Sequence, residues 1–166
     1  MLIRDAQIHE LEVIRTQRVA AYSEHAQAIS DEHWLALKKA ISSEADVQAG
    51  VERIVAEIDG EIVGSVALFP PHSNAYEGLV DDIDYSEIRL LAVKPEARGK
   101  GVARALIDEC IARTKAKKLD AIGLHTADFM ESAITLYNRM GFERLPQYDF
   151  EPANDGVIVK AFRKKI

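Results

Sequence analysis

Hydrophobic and polar residues in the first half of the chain follow patterns that predict two helices and a β-hairpin. Apolar positions three and four apart predict a helix over residues 9–22, and Ser30 predicts the start of a second helix that continues to Ile41. Strand-like runs over 51–58 and 61–69 flank Asp59-Gly60, which is typical of a two-residue hairpin turn with positive φ at both positions. A short strand is predicted over 2–6. The buried stripe of the first helix is expected to contain Leu11, Ile14, Arg18 and Ala21.

The second half of the chain alternates strands and helices. Strands are predicted over 87–93 and 121–126, each followed by a helix whose apolar residues share one face. Asp128 and Glu131 have the spacing of a capping box, so the second of these helices is expected to begin at Asp128 and to end at Gly141. Strands over 142–148 and 156–162 complete the chain. The apolar face of the last helix is expected to contain Phe129, Ala133, Leu136, Tyr137 and Met140.

The order of these elements, β-α-α-β-β-β-α-β-α-β-β, predicts a single α/β domain over residues 1–166 on a mixed sheet. The strand–helix–strand unit that begins at residue 87 should form a right-handed parallel crossover.

Composition narrows the classes of function. The net charge of −6 disfavours a nucleic-acid partner. The single cysteine, Cys110, excludes an internal disulfide and a cysteine-rich metal site, and no set of His, Asp and Glu has the local spacing of metal ligands. No apolar run approaches the roughly 20 residues of a membrane span, and the N-terminus lacks a signal-peptide core. A cytoplasmic protein with no metal and no membrane partner is therefore expected.

The most informative stretch joins the strand over 87–93 to the following helix. Arg98 and Lys100 lie where the positive end of the helix dipole should repel them, which favours an anion between them. Gly99 and Gly101 would let backbone N–H groups approach a phosphate without a β-carbon in the way. The stretch therefore predicts a strand–loop–helix site for a pyrophosphate. A nucleotide P-loop is excluded because no Gly-Lys-Ser/Thr follows, and the third glycine of a dinucleotide-binding fingerprint is missing.

Three motifs together resemble the GNAT superfamily of N-acetyltransferases, over essentially the whole chain. A strand ending in Leu-x-Val-x-Pro is followed by Arg-x-x-Gly-x-Ala and, about thirty residues later, by Ala-x-x-Leu-Tyr-x-x-x-Gly-Phe. The resemblance implies a mixed, mostly antiparallel sheet with a central parallel strand pair flanked by helices. The matching residues are Leu91, Val93, Pro95, Arg98, Gly101, Ala103, Ala133, Leu136, Tyr137, Gly141 and Phe142.

This resemblance implies acetyl-coenzyme A as the co-substrate. Backbone groups of Leu91, Ala92 and Val93 would pair with the pantetheine arm. Main-chain N–H groups of Arg98, Gly99, Lys100, Gly101, Val102 and Ala103 would hold the pyrophosphate. One departure lies at Met130, where many members of the family carry an asparagine that contacts the coenzyme.

Two residues are candidates for the catalytic chemistry. Tyr137 resembles the family's general acid, because a phenol keeps its proton at neutral pH and could protonate the leaving thiolate; the alternative is an aromatic that only packs on the core. Glu87 resembles the position of a general base, and the alternative is a solvated carboxylate at a strand end. His125 is a rival base. Cys110 lies on an apolar stripe and is expected to be inert.

The predicted function is transfer of an acetyl group from acetyl-CoA to a primary amine by direct attack in a ternary complex. The alternative is a non-catalytic domain that binds or senses acyl-CoA. The acceptor, a small molecule or a protein amine, is expected near residues 22–34 and 148–154. An acidic run over 77–84 would attract a cationic amine or would only be a solvated surface, and a homodimer is a further expectation.

Overall fold

A computed structural model describes residues 1–73 and 82–166 of the chain. Within these residues one sheet has the strand order β1-β2-β3-β4-β5-β7-β6, and every neighbouring pair is antiparallel except β4 and β5. The predicted mixed sheet with a central parallel pair is therefore confirmed. The strands are β1 (Leu2–Asp5), β2 (Glu52–Ile58), β3 (Glu61–Phe69), β4 (Ser86–Val93), β5 (Ala121–Ala127), β6 (Glu143–Arg144) and β7 (Val159–Lys165).

Helices cover both faces of this sheet. The first helix packs against Val55, whereas the third packs on the opposite face with Ile54, since neighbouring residues of a strand point to opposite sides. Tyr137 of the fourth helix joins the core on that second face. The helices are α1 (Leu11–Tyr22), α2 (Asp31–Ile41), α3 (Val102–Ala116) and α4 (Glu131–Arg139).

Several local predictions are confirmed. The buried residues of α1 are the predicted stripe. The hydroxyl of Ser30 accepts a hydrogen bond from the backbone N–H of His33 at 3.1 Å and so caps α2. Asp59 and Gly60 have φ of 52° and 80°, as the hairpin between β2 and β3 requires.

The start predicted for α4 is wrong. The helix begins at Glu131, and Asp128 does not cap it: Oδ2 of Asp128 instead accepts a hydrogen bond from the backbone N–H of Ile158 at 3.2 Å. Asp128 therefore ties the end of β5 to the segment before β7. As a result Phe129 precedes the helix rather than contributing to its apolar face.

The C-terminal strands also differ from the prediction. The strand expected over 142–148 is reduced to β6, because Pro146 opens a short 3₁₀ helix over Pro146–Tyr148 and has no N–H to donate to a ladder. The last strand begins at Val159 instead of Gly156 and continues to Lys165.

A buried carboxylate fixes the segment between α2 and β2. Asp46 is fully buried and binds Arg15 through a bond of 2.7 Å and Arg18 through one of 3.3 Å. Its backbone oxygen accepts from Arg53 at 2.9 Å. Asp46 therefore links α1 to β2, which holds α1 over the sheet. Within the described ranges, no helix has the length and apolar character required to cross a membrane.

Candidate active site

Strands β4 and β5 pair over only part of their length. Ser86, Glu87 and Ile88 lie opposite Ile122, Gly123 and Leu124. Beyond Ile88, among the described residues, β4 pairs with β3 alone and β5 pairs with β7 alone. Leu90, with φ of 60°, lies at a register shift between β3 and β4, and such a bulge bends a strand. The two central strands therefore separate, and a gap opens beside the stretch from Leu91 to Val93.

The glycine loop, which is formed by residues 98–101, lies at the far end of this gap. A short 3₁₀ helix over Pro95–Ala97 leads to Gly99 and Gly101, both with φ of 78°, and Gly101 is the N-terminal cap of α3. A β-carbon at either glycine would meet nothing within 4 Å. The side chain of Arg98 pairs with Glu24, which follows α1. The open space in front of the first turn of α3 fits a phosphate group bound by backbone N–H groups.

Glu87 and His125 form a hydrogen-bonded pair at the point where the strands separate. Oε1 of Glu87 contacts Nδ1 of His125, and both side chains are buried, with 4% and 2% of their surface exposed. Nε2 of His125 lies 3.0 Å from the backbone oxygen of Tyr148. The two residues that the sequence analysis treats as rival bases are thus direct partners.

Aromatic residues enclose this pair. Phe150 packs against His125 with ring centroids 5.5 Å apart. Tyr85 is buried, and burial together with the neighbouring Glu87 raises its pKa to about 12. These groups exclude much of the solvent from the Glu87 carboxylate, so Glu87 is not a solvated strand-end residue.

Tyr137 lies on the other face of the sheet. Its ring packs against Phe142 and Phe162, with centroid separations of 5.9 and 6.3 Å, and the residue is 5% exposed. Burial raises the pKa of Tyr137, and Tyr22 of α1 adds to this effect. Because α1 and α4 cover opposite faces, this electrostatic influence acts across the sheet.

The remaining candidates have structural environments that limit their chemistry. Cys110 is fully buried, and burial raises its pKa to about 12, which disfavours a thiolate nucleophile. Met130 is the residue at the N-terminal cap of α4, but its side chain makes no capping hydrogen bond. Its sulfur accepts a hydrogen bond from the hydroxyl of Thr126 at 3.4 Å. No group of three or more His, Cys, Asp and Glu in the described ranges could hold a metal ion.

Residues of the first predicted acceptor region, 22–34, contact Phe129 and Asp155, which lie outside both predicted regions. His33 of α2 binds Asp155 at 2.7 Å, and Phe129 packs against both His33 and His25. Residues 33 and 155 are too far apart in sequence for any local pattern to have indicated this contact. Most of the acidic run over 77–84 lies outside the described residues; its member Asp82 pairs with His72.

Comparison with known proteins agrees with this geometry. A sequence model of the acetyltransferase (GNAT) family matches residues 9–142. A mycothiol acetyltransferase from Cellulomonas flavigena is 34% identical over 92 residues, which is 55% of this chain and 26% of that protein. The chain thus spans about a quarter of the length of this curated relative.

Solved structures share the fold. An acetyltransferase of the GNAT family from Staphylococcus aureus Mu50 superposes with a TM-score of 0.72 at 17% identity, over 99% of this chain and 98% of the other. The PaiA N-acetyltransferase of Thermoplasma acidophilum, solved in complex with coenzyme A, gives a TM-score of 0.69 at 20% identity over 99% and 98%. The family match over most of the chain, on a fold with separated central strands and a glycine loop, establishes that the protein belongs to the GNAT family of acetyltransferases, which use acetyl-CoA.

Proposed function

We propose that this protein transfers an acetyl group from acetyl-CoA to a primary amine by direct attack of the amine on the thioester. The observation that carries the proposal is the gap between β4 and β5, which has a buried carboxylate–histidine pair on one face and a buried tyrosine on the other. A thioester in the gap would have a proton acceptor and a proton donor on opposite sides. A domain that only binds acyl-CoA has no need of either.

The coenzyme would extend from the glycine loop into the gap. Backbone groups of Leu91, Ala92 and Val93 would pair with the amides of the pantetheine arm, in place of the missing strand neighbour. The N–H groups from Arg98 to Ala103 would bind the pyrophosphate, aided by the dipole of α3. Positive φ at Gly99 and Gly101 and the open space beside them support this arrangement.

The proposed reaction assigns one role to each face of the gap. Glu87 accepts a proton from the acceptor ammonium, so that the neutral amine attacks the carbonyl carbon. Collapse of the tetrahedral intermediate breaks the C–S bond, and Tyr137 donates a proton to the departing thiolate. The raised pKa of Tyr137 keeps its phenol protonated at neutral pH.

The test is an amine panel in which free thiol released from acetyl-CoA is measured. Tyr137→Phe should lower turnover well below wild type while the affinity for coenzyme A stays similar, since only the hydroxyl is lost. Glu57→Gln, on β2 away from the gap, serves as a control that should not change turnover. If Tyr137→Phe turned over as fast as wild type, the general-acid role would be withdrawn.

The same panel addresses the alternative of a sensing domain. Stabilisation of the protein by coenzyme A, measured by thermal unfolding, with no thiol release on any amine, would favour that alternative. Release of thiol that depends on the amine, with the acetylated amine identified by mass spectrometry, would exclude it.

A further inference from the structure

We infer that Glu87 and His125 act as one proton-accepting unit, which takes up a single proton shared between Oε1 of Glu87 and Nδ1 of His125. The inference deepens the proposed function and rests on it. In this unit Glu87 receives the proton of the acceptor ammonium, and His125 is a positioning residue that holds the carboxylate and shares the proton.

Strand register places the two side chains together. Glu87 lies opposite Gly123 in the parallel pair, and His125 is two residues further along β5, on the same face of the sheet. Glu87 directly precedes Ile88, and His125 directly follows Leu124, which are the last two residues paired before the strands separate. The pair therefore spans the apex of the gap, where the reacting end of a bound thioester would lie.

The backbone oxygen of Tyr148 determines which nitrogen of His125 is available. A carbonyl oxygen only accepts hydrogen bonds, so Nε2, at 3.0 Å from this oxygen, carries a proton. Nδ1 then either accepts a hydrogen bond from the protonated Glu87 carboxyl or, in the imidazolium, donates a hydrogen bond to the carboxylate. Both forms of the Glu87–His125 contact contain one proton between the two atoms.

The pair without this proton is a strained arrangement. It brings the Nδ1 lone pair against a carboxylate oxygen in a site from which solvent is largely excluded. This repulsion is relieved when a proton lies between Nδ1 and Oε1, as a hydrogen bond at this contact requires. The proton-free pair is the form that accepts the proton from the ammonium.

Two charged groups near the pair have partners of their own. Asp149, whose pKa is influenced by His125, binds Arg144 through two bonds of 2.8 and 2.6 Å and accepts from the N–H of Ala161 at 2.8 Å. The guanidinium of Arg163 lies 5.8 Å from the ring centre of Tyr85. Among the described residues, Asp84, Tyr148 and Arg163 act electrostatically on Tyr85 beside the pair, and Arg89 lies two residues after Glu87 on β4.

The reaction releases one proton for each acetyl group that is transferred. The pair takes one proton from the ammonium, and the neutral amine forms the C–N bond. The second proton leaves the nitrogen for solvent as the C–S bond breaks, and Tyr137 regains from solvent the proton that it gives to the thiolate. The pair then releases its proton to solvent, so that ammonium and thioester yield amide, thiol and one proton.

The first test is the pH dependence of kcat/KM for wild type, His125→Asn and Glu87→Gln. With a shared proton, activity falls on the acidic side as the pair becomes protonated. In His125→Asn the carboxylate loses the imidazole that shares its proton, so the acidic limb should move from its wild-type position, and kcat should fall at least tenfold. Glu87→Gln should lose the acidic limb of the pair.

The controls separate this role from a structural one. Glu57→Gln should leave the profile unchanged, and thermal unfolding should show that each variant is folded. An acidic limb that stays in place in His125→Asn would overturn the shared-proton role while leaving the proposed function intact. A limb that stays in place in Glu87→Gln would show that His125 acts alone, and would also overturn it.

A second measurement needs no activity. In ¹⁵N NMR spectra of the coenzyme-free protein, His125 should show a protonated Nε2, and the Nδ1 signal should change when Glu87 is replaced by Gln. An Nδ1–H tautomer with an unprotonated Nε2 would overturn the pair. If the NMR pattern were found but no amine were acetylated, the proposed function would fail and the catalytic role of the pair with it.

Discussion

The ring of Tyr85 occupies the space that a β-carbon at residue 123 would need. An added β-carbon on Gly123 would lie 2.4 Å from Cε2 of Tyr85 and 3.1 Å from the backbone oxygen of Phe162. Gly123 also lies opposite Glu87 and two residues before His125. A glycine at this position therefore lets Tyr85 pack directly on β5 beside the carboxylate–histidine pair.

Gly123→Ala should destabilise the protein by about 1–3 kcal/mol, because the ring or the strand must shift to admit a methyl group. Urea unfolding measures this change, and turnover should fall further because His125 moves with β5. In the double variant with Tyr85→Ala the ring is gone, so the two effects should be less than additive. Full additivity would show that Tyr85 does not restrict residue 123.

Gly101→Ala should weaken binding of coenzyme A far more than it weakens the fold. A β-carbon at Gly101 would enter the open space where the pyrophosphate is proposed to bind. Gly60→Ala is a matched control, because Gly60 has a similar φ of 80° and an equally open surrounding in the hairpin turn. Both variants should lose about 1–2 kcal/mol of stability from backbone strain, measured by unfolding.

Only Gly101→Ala should lose the upward shift in melting temperature that coenzyme A produces in wild type. An equal loss in Gly60→Ala, or none in Gly101→Ala, would contradict a pyrophosphate site at the loop.

Asp46→Asn should lower the free energy of unfolding by about 3 kcal/mol. The substitution leaves Arg18, which is 2% exposed, without its buried countercharge. Urea unfolding is the measurement, and Glu61→Gln is the control, because the Glu61–Lys94 pair is exposed. A change of equal size in both variants would show that burial of Asp46 does not matter.

The Glu10 carboxylate should make stability depend on acid pH. Its hydrogen bonds from Arg4, at 2.9 and 2.8 Å, and from the N–H of Gln7 lower its pKa to about 2. Since the folded pKa of Glu10 is depressed, the stabilisation is complete above the ordinary pKa of 4.5 and is lost as pH falls through about 2.

Glu10→Gln should therefore reduce stability at neutral pH by about 1 kcal/mol, a modest amount because the pair is partly solvated. Near pH 2 the variant and wild type should converge. The comparison requires urea unfolding at both pH values, with the exposed Glu12→Gln as a control. A constant difference at both pH values would contradict the linkage.

Regular elements with strong local patterns could be predicted from the sequence. The stripe of α1, the cap at Ser30 and the turn at Asp59-Gly60 depend on interactions within a few residues, which the sequence displays directly. The position of the glycine loop could be predicted from the sequence for the same reason, because its residues are adjacent in the chain. Tyr137 was identified as a candidate through the spacing of its motif, and its role remains a prediction.

Features that depend on contacts between distant residues could not be predicted in this way. Asp128 has the spacing of a helix cap, but its carboxylate binds the N–H of Ile158, thirty residues away in the chain. The Glu87–His125 contact depends on strand register, and no local pattern encodes a register. The sequence therefore indicates Glu87 and His125 as alternative general bases, whereas in the fold they form a hydrogen-bonded pair.

Beyond the bulge at Leu90, the side of β4 that faces β5 is a strand edge in the interior of the molecule. Exposed edges invite pairing with other chains, but this one is flanked by β5 and covered by helices on both faces, so a folded protein does not fit there. The proposed occupant is thin and flexible and has amides along its length. Recognition through main-chain atoms requires no particular side chain at residues 91–93, so the choice of these side chains is set by the fold: Leu91 and Val93 pack on the core, and Ala92 is buried.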